Sequence, residues 1–473
     1  MKKNDLLTGF CEQIGYNGEG IFHIEGTTFF VPFCLVGEKV RFKILKIKGN
    51  IGYGKAEEIL ERSPDRIKPC CPVFTKCGGC DFLHVNYRTQ LKIKEETVVN
   101  TFKKVAFSDV TVDGVYHGDK IFGYRNKLQL PVREQNGKVK IGFFRENTHD
   151  VVETDDCKIQ PDWAKIFIAE IKRFVDGVNV TAYNDADNTG LLRHVVVREL
   201  NNEFILVLVI NGDKIAGVNG LIDRLLKHFP DLSVYINVNK TATNVIFGEK
   251  FTLIYGKGKI SLDEFGITYR VGAESFLQVN TEVKKMLYEK VVSEANIGES
   301  HVVIDGYSGA GVMTAMLTKN AVKSYGVEIV KEASDSANRL AVENGLSDKM
   351  TSIAAPCEEV LPYLIEKACN DGFKTVLVLD PPRKGVELNV LLSALKAKVD
   401  KIIYVACSPQ SLARDVGVLT DTLLVKNGRI LGKNPAPYPA YSVDGVYLYD
   451  MFPQTKHVET LVCLTRKPDL SGL

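Results

Sequence analysis

Net charge is nearly absent from this chain. Its 60 Lys and Arg residues are matched by 58 Asp and Glu, leaving +2. No whole-chain field can therefore drive binding to a polyanion, and any basic footprint must be local. Long apolar runs are also missing. None reaches the roughly 18 residues of a membrane helix, so no membrane partner is expected. The opening MKKNDLLTGF has neither an extended apolar stretch nor a small-residue cleavage site, so the cytoplasm is the expected location. There is no internal repeat and no low-complexity tract, which excludes solenoid arrays and biased disordered tails. What remains is ordinary for a folded soluble protein, with 45% hydrophobic and 25% charged residues. The 473 residues suffice for about three domains. Cysteine is not scarce. In a reducing compartment the eleven present point to free thiols, metal ligands or nucleophiles, not to a disulfide framework.

Residues 10–60 read as short strands separated by turns at Tyr16-Asn17-Gly18, Glu25-Gly26 and Lys48-Gly49-Asn50. In VRFKILKIK, Arg41, Lys43 and Lys46 interleave with Phe42, Ile44, Leu45 and Ile47. A small β-barrel with a basic face fits this pattern, and such barrels bind RNA. The alternative is an edge strand guarded by solvated lysines. Four cysteines follow within CCPVFTKCGGC, residues 70–80. Spacing alone leaves a zinc site and an iron–sulfur site equally open, and it does not exclude Cys70. Residues 89–105 look helical, and 121–260 mix strands with helices. From about 301 the pattern becomes regular. HVVID, SYGVEI, TVLVLD and KIIYVA are short apolar runs divided by helical stretches, as in a parallel sheet covered on both faces.

Ligands of such sheets bind beyond the carboxyl ends of the strands. The first strand ends at Asp305 and runs into GYSGAG, where Gly306, Gly309 and Gly311 allow close backbone approach. The spacing is G-x-x-G-x-G, not the G-x-G-x-x-G of dinucleotide sites. Glu328 ends the second strand, where a carboxylate can hold two ribose hydroxyls, and Asp380 ends VLVLD. These acids suit the cationic S-adenosylmethionine better than a pyrophosphate, although Asp305 and Asp380 could also simply cap helices. The next strand ends in YVACSPQSLARD. Cys407 there faces the same crevice, and Arg414 would favour its thiolate on approach. Cys357, Cys369 and Cys463 read as small hydrophobes. Near the end, DMFPQTKHVETLVCLTRK brings His457 and Glu459 on a late, antiparallel strand.

In combination, SFLQVN (275–280), DGYSGAG, LDPPRKG (379–385), YVACSPQSLARD (404–415) and DMFPQTKHVE (450–459) resemble the S-adenosylmethionine-dependent RNA uracil-5-methyltransferases, especially the bacterial 23S ribosomal RNA branch. The resemblance spans nearly the whole chain. It implies an α/β fold: a Rossmann-like methyltransferase domain (90–123 and 263–473), an N-terminal OB-like TRAM barrel (1–60), and a central α/β domain (61–89 and 124–262). It implies Cys407 as nucleophile and Glu459 as proton-abstracting base. Gln278, Tyr307, Glu328, Asp380, Asp305 and Gly309 fall at the cofactor pocket, and Phe276 beside the target base. The chemistry is coherent, since carbon 5 of uracil is a poor nucleophile until a thiolate adds to carbon 6, and a base must then remove the carbon 5 proton. The family carries a 4Fe–4S cluster on C-x5-C-x2-C and a distant cysteine, which implies Cys71, Cys77, Cys80 and Cys157 here, with Cys70 spare. RNA is the implied partner, 23S ribosomal RNA before transfer RNA, and a monomer is expected. A noncatalytic RNA-binding iron–sulfur protein is the rival class, and the intact Cys407 and Glu459 argue against it. Departures are Ser308 where a cysteine is common, Val312-Met313-Thr314 after the turn, the lack in TSIAAPCEEV of the usual acid before the adenine contact, and a long proline-rich segment from Gly428.

Overall fold

A computed structural model describes residues 1–468. Three sheets organise it. The first has six strands, in the order Leu6–Phe10, Lys39–Lys48, Ile51–Glu61, Thr27–Val31, Gly20–Ile24 and Gln13–Ile14. Alternation in Lys39–Lys48 sends Val40, Phe42 and Ile44 inward, where they meet Phe22 and Phe29. Gly52 is required there, because a Cβ would stand 2.3 Å from the Phe29 ring.

The second sheet has seven strands, with Leu192–Leu200 and Glu203–Ile210 at its centre. Nearly every residue of these two strands is buried, which requires cover on both faces. One face packs Leu206 and Leu208 under the helix Trp163–Gly177 and the helix Val218–Leu225. The other packs Val207 and Val209 against the hairpin Ile260–Glu264/Ile267–Val271 and helices of the C-terminal part.

The third sheet has eight strands. Met350–Ala354, Lys323–Glu328, His301–Gly306, Lys374–Leu379 and Lys401–Ala406 are parallel neighbours in that order. Glu459–Arg466 pairs antiparallel with Lys401–Ala406, then Tyr441–Tyr449 and the short edge strand Gly114–Tyr116 complete it. The order reverses at His301–Gly306, so the crevice opens where the glycine turn leaves that strand. This is a Rossmann-like α/β sheet, as the alternating apolar runs lead one to expect.

The helix Tyr87–Thr101 belongs to this third layer by packing. Its start is capped by Asn86, whose side chain accepts from the Thr89 amide, and Val98 and Phe102 enter the sheet's core. Lys94 on this helix is 2% exposed and lies 2.5 Å from Asp450, itself 1% exposed. The Tyr87 hydroxyl donates to the same carboxylate at 2.7 Å. Gln90 donates to Gln454 at 3.0 Å. The helix thus grips the segment leading to Glu459.

Candidate active site

Cys407 sits between two rigid elements. Before it, the strand Lys401–Ala406 is buried. After it, Ser408 caps the helix Pro409–Leu419, with Pro409 at the first helical position. Ala406 is paired with Thr460 on the antiparallel neighbour, so Cys407 lies across from Glu459 at the open end of both strands. Glu459 is 3% exposed. Burial, then the negative charge of Asp380, raises its pKa to about 8, opposed by Arg383. Burial and the charge of Glu459 push the Cys407 thiol up to about 11, again opposed by Arg383. The thiol is therefore held protonated until something changes around it.

Arg414 does not fill the role expected of it. It donates to Asp415 at 2.7 Å and to the Lys384 carbonyl at 3.0 Å. Asp415 in turn accepts from the Tyr404 hydroxyl at 2.6 Å and the Val386 amide at 2.9 Å. That network fixes the loop after Asp380, and the guanidinium nearest Cys407 and Glu459 in charge is Arg383. Its place directly after Asp380-Pro381-Pro382 was the available signal, because a turn that delivers one charge to a crevice delivers its neighbours too.

The cavity beside Cys407 measures about 410 Å³. All three sheets' surroundings contribute to it: Tyr16 and Asn17 from the first, Asn147 from the second, and Arg383, Cys407 and His457 from the third. The N-terminal turn Tyr16-Asn17-Gly18, legible as a turn, was not legible as a wall of this cavity, because the contact is formed between distant segments.

A second cavity is lined in part by Asp380. Asp305, Tyr307, Gly309 and Asp380 line it, with Phe276 at its mouth, 81% exposed. Gln278 and Glu328 do not line it. Gln278 is buried, with its carbonyl accepting from Asn126 at 3.0 Å. Glu328 accepts from the Gly309 amide at 3.0 Å and the Val330 amide at 2.8 Å. The turn depends on glycine: at Gly311, φ is +80° and a Cβ would stand 2.5 Å from that of Ala337. Asp305 accepts from the Thr314 hydroxyl at 2.5 Å, and burial followed by the charges of Asp380 and Glu328 raises its pKa to about 7. Asp380 faces open space yet is ringed by protein, and that recess raises its pKa as well. The Tyr307 hydroxyl and Ser308 Oγ are buried without a protein partner. Clustered acids and orphaned hydroxyls around a glycine cradle fit a cationic ligand with polar groups.

The sequence pattern of the tRNA (uracil-5-)-methyltransferase family matches residues 86–467. The chain belongs to that family. Its members are S-adenosylmethionine-dependent RNA methyltransferases, and this chain is one of them. A protein named as an RNA methyltransferase from Clostridium acetobutylicum is 37% identical to it over 98% of both chains. Another so named, from Halalkalibacterium halodurans, is 34% identical over 99% of this chain and 98% of its own. Among solved structures, the Pyrococcus abyssi tRNA (uracil-54, C5)-methyltransferase in complex with S-adenosyl-L-homocysteine aligns with a TM-score of 0.73. It is 24% identical, covering 97% of this chain and 100% of its own. That likeness extends the shared fold through the N-terminal strands. Among the described residues no helix is long and apolar enough to cross a membrane.

The family's matched span includes Cys157 but not the cysteine run before residue 86. In the structure Cys71, Cys77, Cys80 and Cys157 nonetheless line one small, apolar cavity, while Cys70 is exposed outside it. Burial raises the Cys157 thiol to about 11, and burial raises Cys77 and Cys80 too, each pushed further up by the charge of neighbouring thiols. Among the described residues no group of three or more His, Cys, Asp or Glu side chains stands ready to hold a metal ion. The four thiols share one cavity without forming a metal-ready group. The loop that carries them is bonded to the catalytic segment: the Asp81 and Phe82 amides donate to the Gln454 carbonyl at 3.0 and 2.9 Å, and Lys456 pairs with Asp81 at 3.4 Å.

Proposed function

We propose that this enzyme transfers a methyl group from S-adenosylmethionine to carbon 5 of a uridine in 23S ribosomal RNA, through a transient bond between Cys407 and the uracil ring. The observation that carries the reading is the placing of Cys407 and Glu459 next to the register pair Ala406–Thr460 of adjacent strands, with Cys407 lining the nucleotide-sized cavity and Asp305 and Asp380 lining the acidic crevice.

Bound S-adenosylmethionine supplies an electrophilic methyl group on a sulfonium sulfur. Asp305 and Asp380 favour its positive charge, and the buried Tyr307 and Ser308 hydroxyls gain partners. The target base leaves its stack to enter the cavity, which is cheapest from a loop or bulge. Phe276, exposed at the mouth of the cofactor crevice, offers a stacking face to a base that reaches across to it. Cys407 adds as thiolate to carbon 6, forming the sulfur–carbon bond and leaving an enolate. Arg383 favours the thiolate. Carbon 5 then attacks the methyl, the sulfonium sulfur–methyl bond breaks and S-adenosylhomocysteine is left, Glu459 removes the carbon 5 proton, and the electrons released expel Cys407.

The division into a TRAM-like RNA-binding barrel (1–60), a central domain (61–89 and 124–262) and a catalytic domain (90–123 and 263–473) is part of this proposal. So is a cytoplasmic monomer. A 4Fe–4S cluster would be held by Cys71, Cys77, Cys80 and Cys157, whose shared cavity and donor chemistry fit it. Methyl transfer needs no redox change, so the cluster's part is to brace the loop that bonds to Gln454 and Lys456.

Transfer RNA is the second reading. The Pyrococcus abyssi protein, by its name a transfer RNA enzyme, shares the layout from end to end, so a barrel does not by itself favour ribosomal RNA. Nucleoside mapping in a deletion strain tests both. Loss of 5-methyluridine from 23S ribosomal RNA supports the first reading, loss from transfer RNA supports the second, and unchanged 5-methyluridine in both overturns the activity.

A further inference from the structure

The helix Tyr87–Thr101 continues as one wider turn, Phe102–Ala106, carrying Lys103 and Lys104. The helix Pro409–Leu419 runs from Cys407 toward the hairpin Leu423–Lys426/Arg429–Lys433. These segments meet: Lys433 lies over the Phe107 ring, 5.9 Å from its centroid. The hairpin opens the long segment in which this chain departs from its expected pattern.

Residues 100–107 and 423–433 contain five cations and no acid. Lys103, Lys104, Lys426, Arg429 and Lys433 are all exposed. Lys103 has one loose partner, Asp109 at 3.8 Å. Among the described residues, Lys104, Lys426, Arg429 and Lys433 pair with no carboxylate. In a chain of net charge +2, five exposed cations with one loosely held acid form a local basic footprint. It is also continuous with the candidate active site. Thr97, seven residues before Lys104, lines the cavity that holds Cys407. Eleven helical residues separate Cys407 from the hairpin, about 16 Å at the helical rise. That spans about five nucleotides along one strand of a duplex.

Resting on the proposed RNA substrate, we propose that this surface is a second RNA contact, gripping the backbone of the duplex that flanks the target loop. Four cations without carboxylate partners, and Lys103 with one loose partner, suit phosphate, and their distance from Cys407 suits a stem rather than the flipped base. The enzyme would thus prefer a uridine in a loop closed by a stem over the same uridine in a bare strand.

The test uses the full chain with Lys103, Lys104, Lys426 and Arg429 all changed to Glu, its folding checked by melting temperature and by donor binding. Affinity is measured for a stem-loop and for its loop sequence alone, across salt. For the stem-loop, affinity should fall at least tenfold at 0.1 M salt, and the slope of log K against log salt should lessen by about four. The loop alone should bind both proteins equally. Unchanged stem-loop binding, or equal losses for both RNAs, overturns the surface. So does a variant that binds the stem-loop normally but no longer binds a protein-containing ribosomal particle. A wild-type protein that grips the stem-loop here yet methylates no uridine would defeat the proposed activity and not the surface.

Discussion

Replacing Glu459 by Gln removes one base, and one charge at pH above its raised pKa of about 8, while keeping size and shape. Two consequences of opposite sign follow. The carboxylate that raises the Cys407 pKa is gone, so the thiolate becomes easier to form. With a thiol near 11, about one molecule in a thousand is thiolate at pH 8, and each unit of decrease raises that fraction tenfold. The group that takes the carbon 5 proton is also gone, which for a general base costs roughly 10²–10⁴ in rate. Attack on carbon 6 should therefore be as fast as in the wild type or faster, while release stalls. Glu459→Gln incubated with donor and substrate RNA should accumulate a protein–RNA adduct that survives denaturing gels, with turnover reduced at least 100-fold. The adduct should form at lower pH than any wild-type adduct. Normal turnover, or no adduct with inactive protein, refutes the assigned base.

Donor binding should be linked to proton release. Asp305 has a raised pKa of about 7, so at pH 6 it carries a proton that a cationic ligand must expel. Affinity should rise as pH increases from 6 to about 8, by at most tenfold per unit for each proton released, and calorimetry in buffers of different ionisation heat would read it. A flat or falling profile contradicts the crevice electrostatics. Asp450→Asn leaves the Lys94 ammonium buried without its counter-charge and should cost about 3–5 kcal/mol of stability, seen in denaturant unfolding. The double variant with Lys94→Met should recover part of it, and independent additive losses would show that no such pair exists.

Periodicity carried the fold class. The runs HVVID, TVLVLD and KIIYVA became the parallel core of the third sheet because strands buried on both faces must be apolar throughout. The antiparallel return of Glu459 was legible from its late position, and its register against Cys407 follows from pairing. Long-range charge placement was not legible. Arg414 and Arg383 look equally able to reach a thiol in one dimension, and only the bonds from Arg414 to Asp415 and the Lys384 carbonyl take the first away. Nor could spacing foresee that Tyr16, Asn147 and Cys407 share a cavity, since that depends on how three sheets pack. Among the cysteines, spacing left Cys70 in play, and the chain's path set it outside the cavity that the other four surround.

The most direct measurement is mass spectrometry of the protein after reaction with RNA bearing 5-fluorouridine at the target, where fluorine replaces the proton that Glu459 must remove. The adduct should be trapped, with the nucleotide and its transferred methyl attached to the peptide containing Cys407. A product methylated without any nucleotide on that peptide, or one carrying the nucleotide on another residue, would contradict the account.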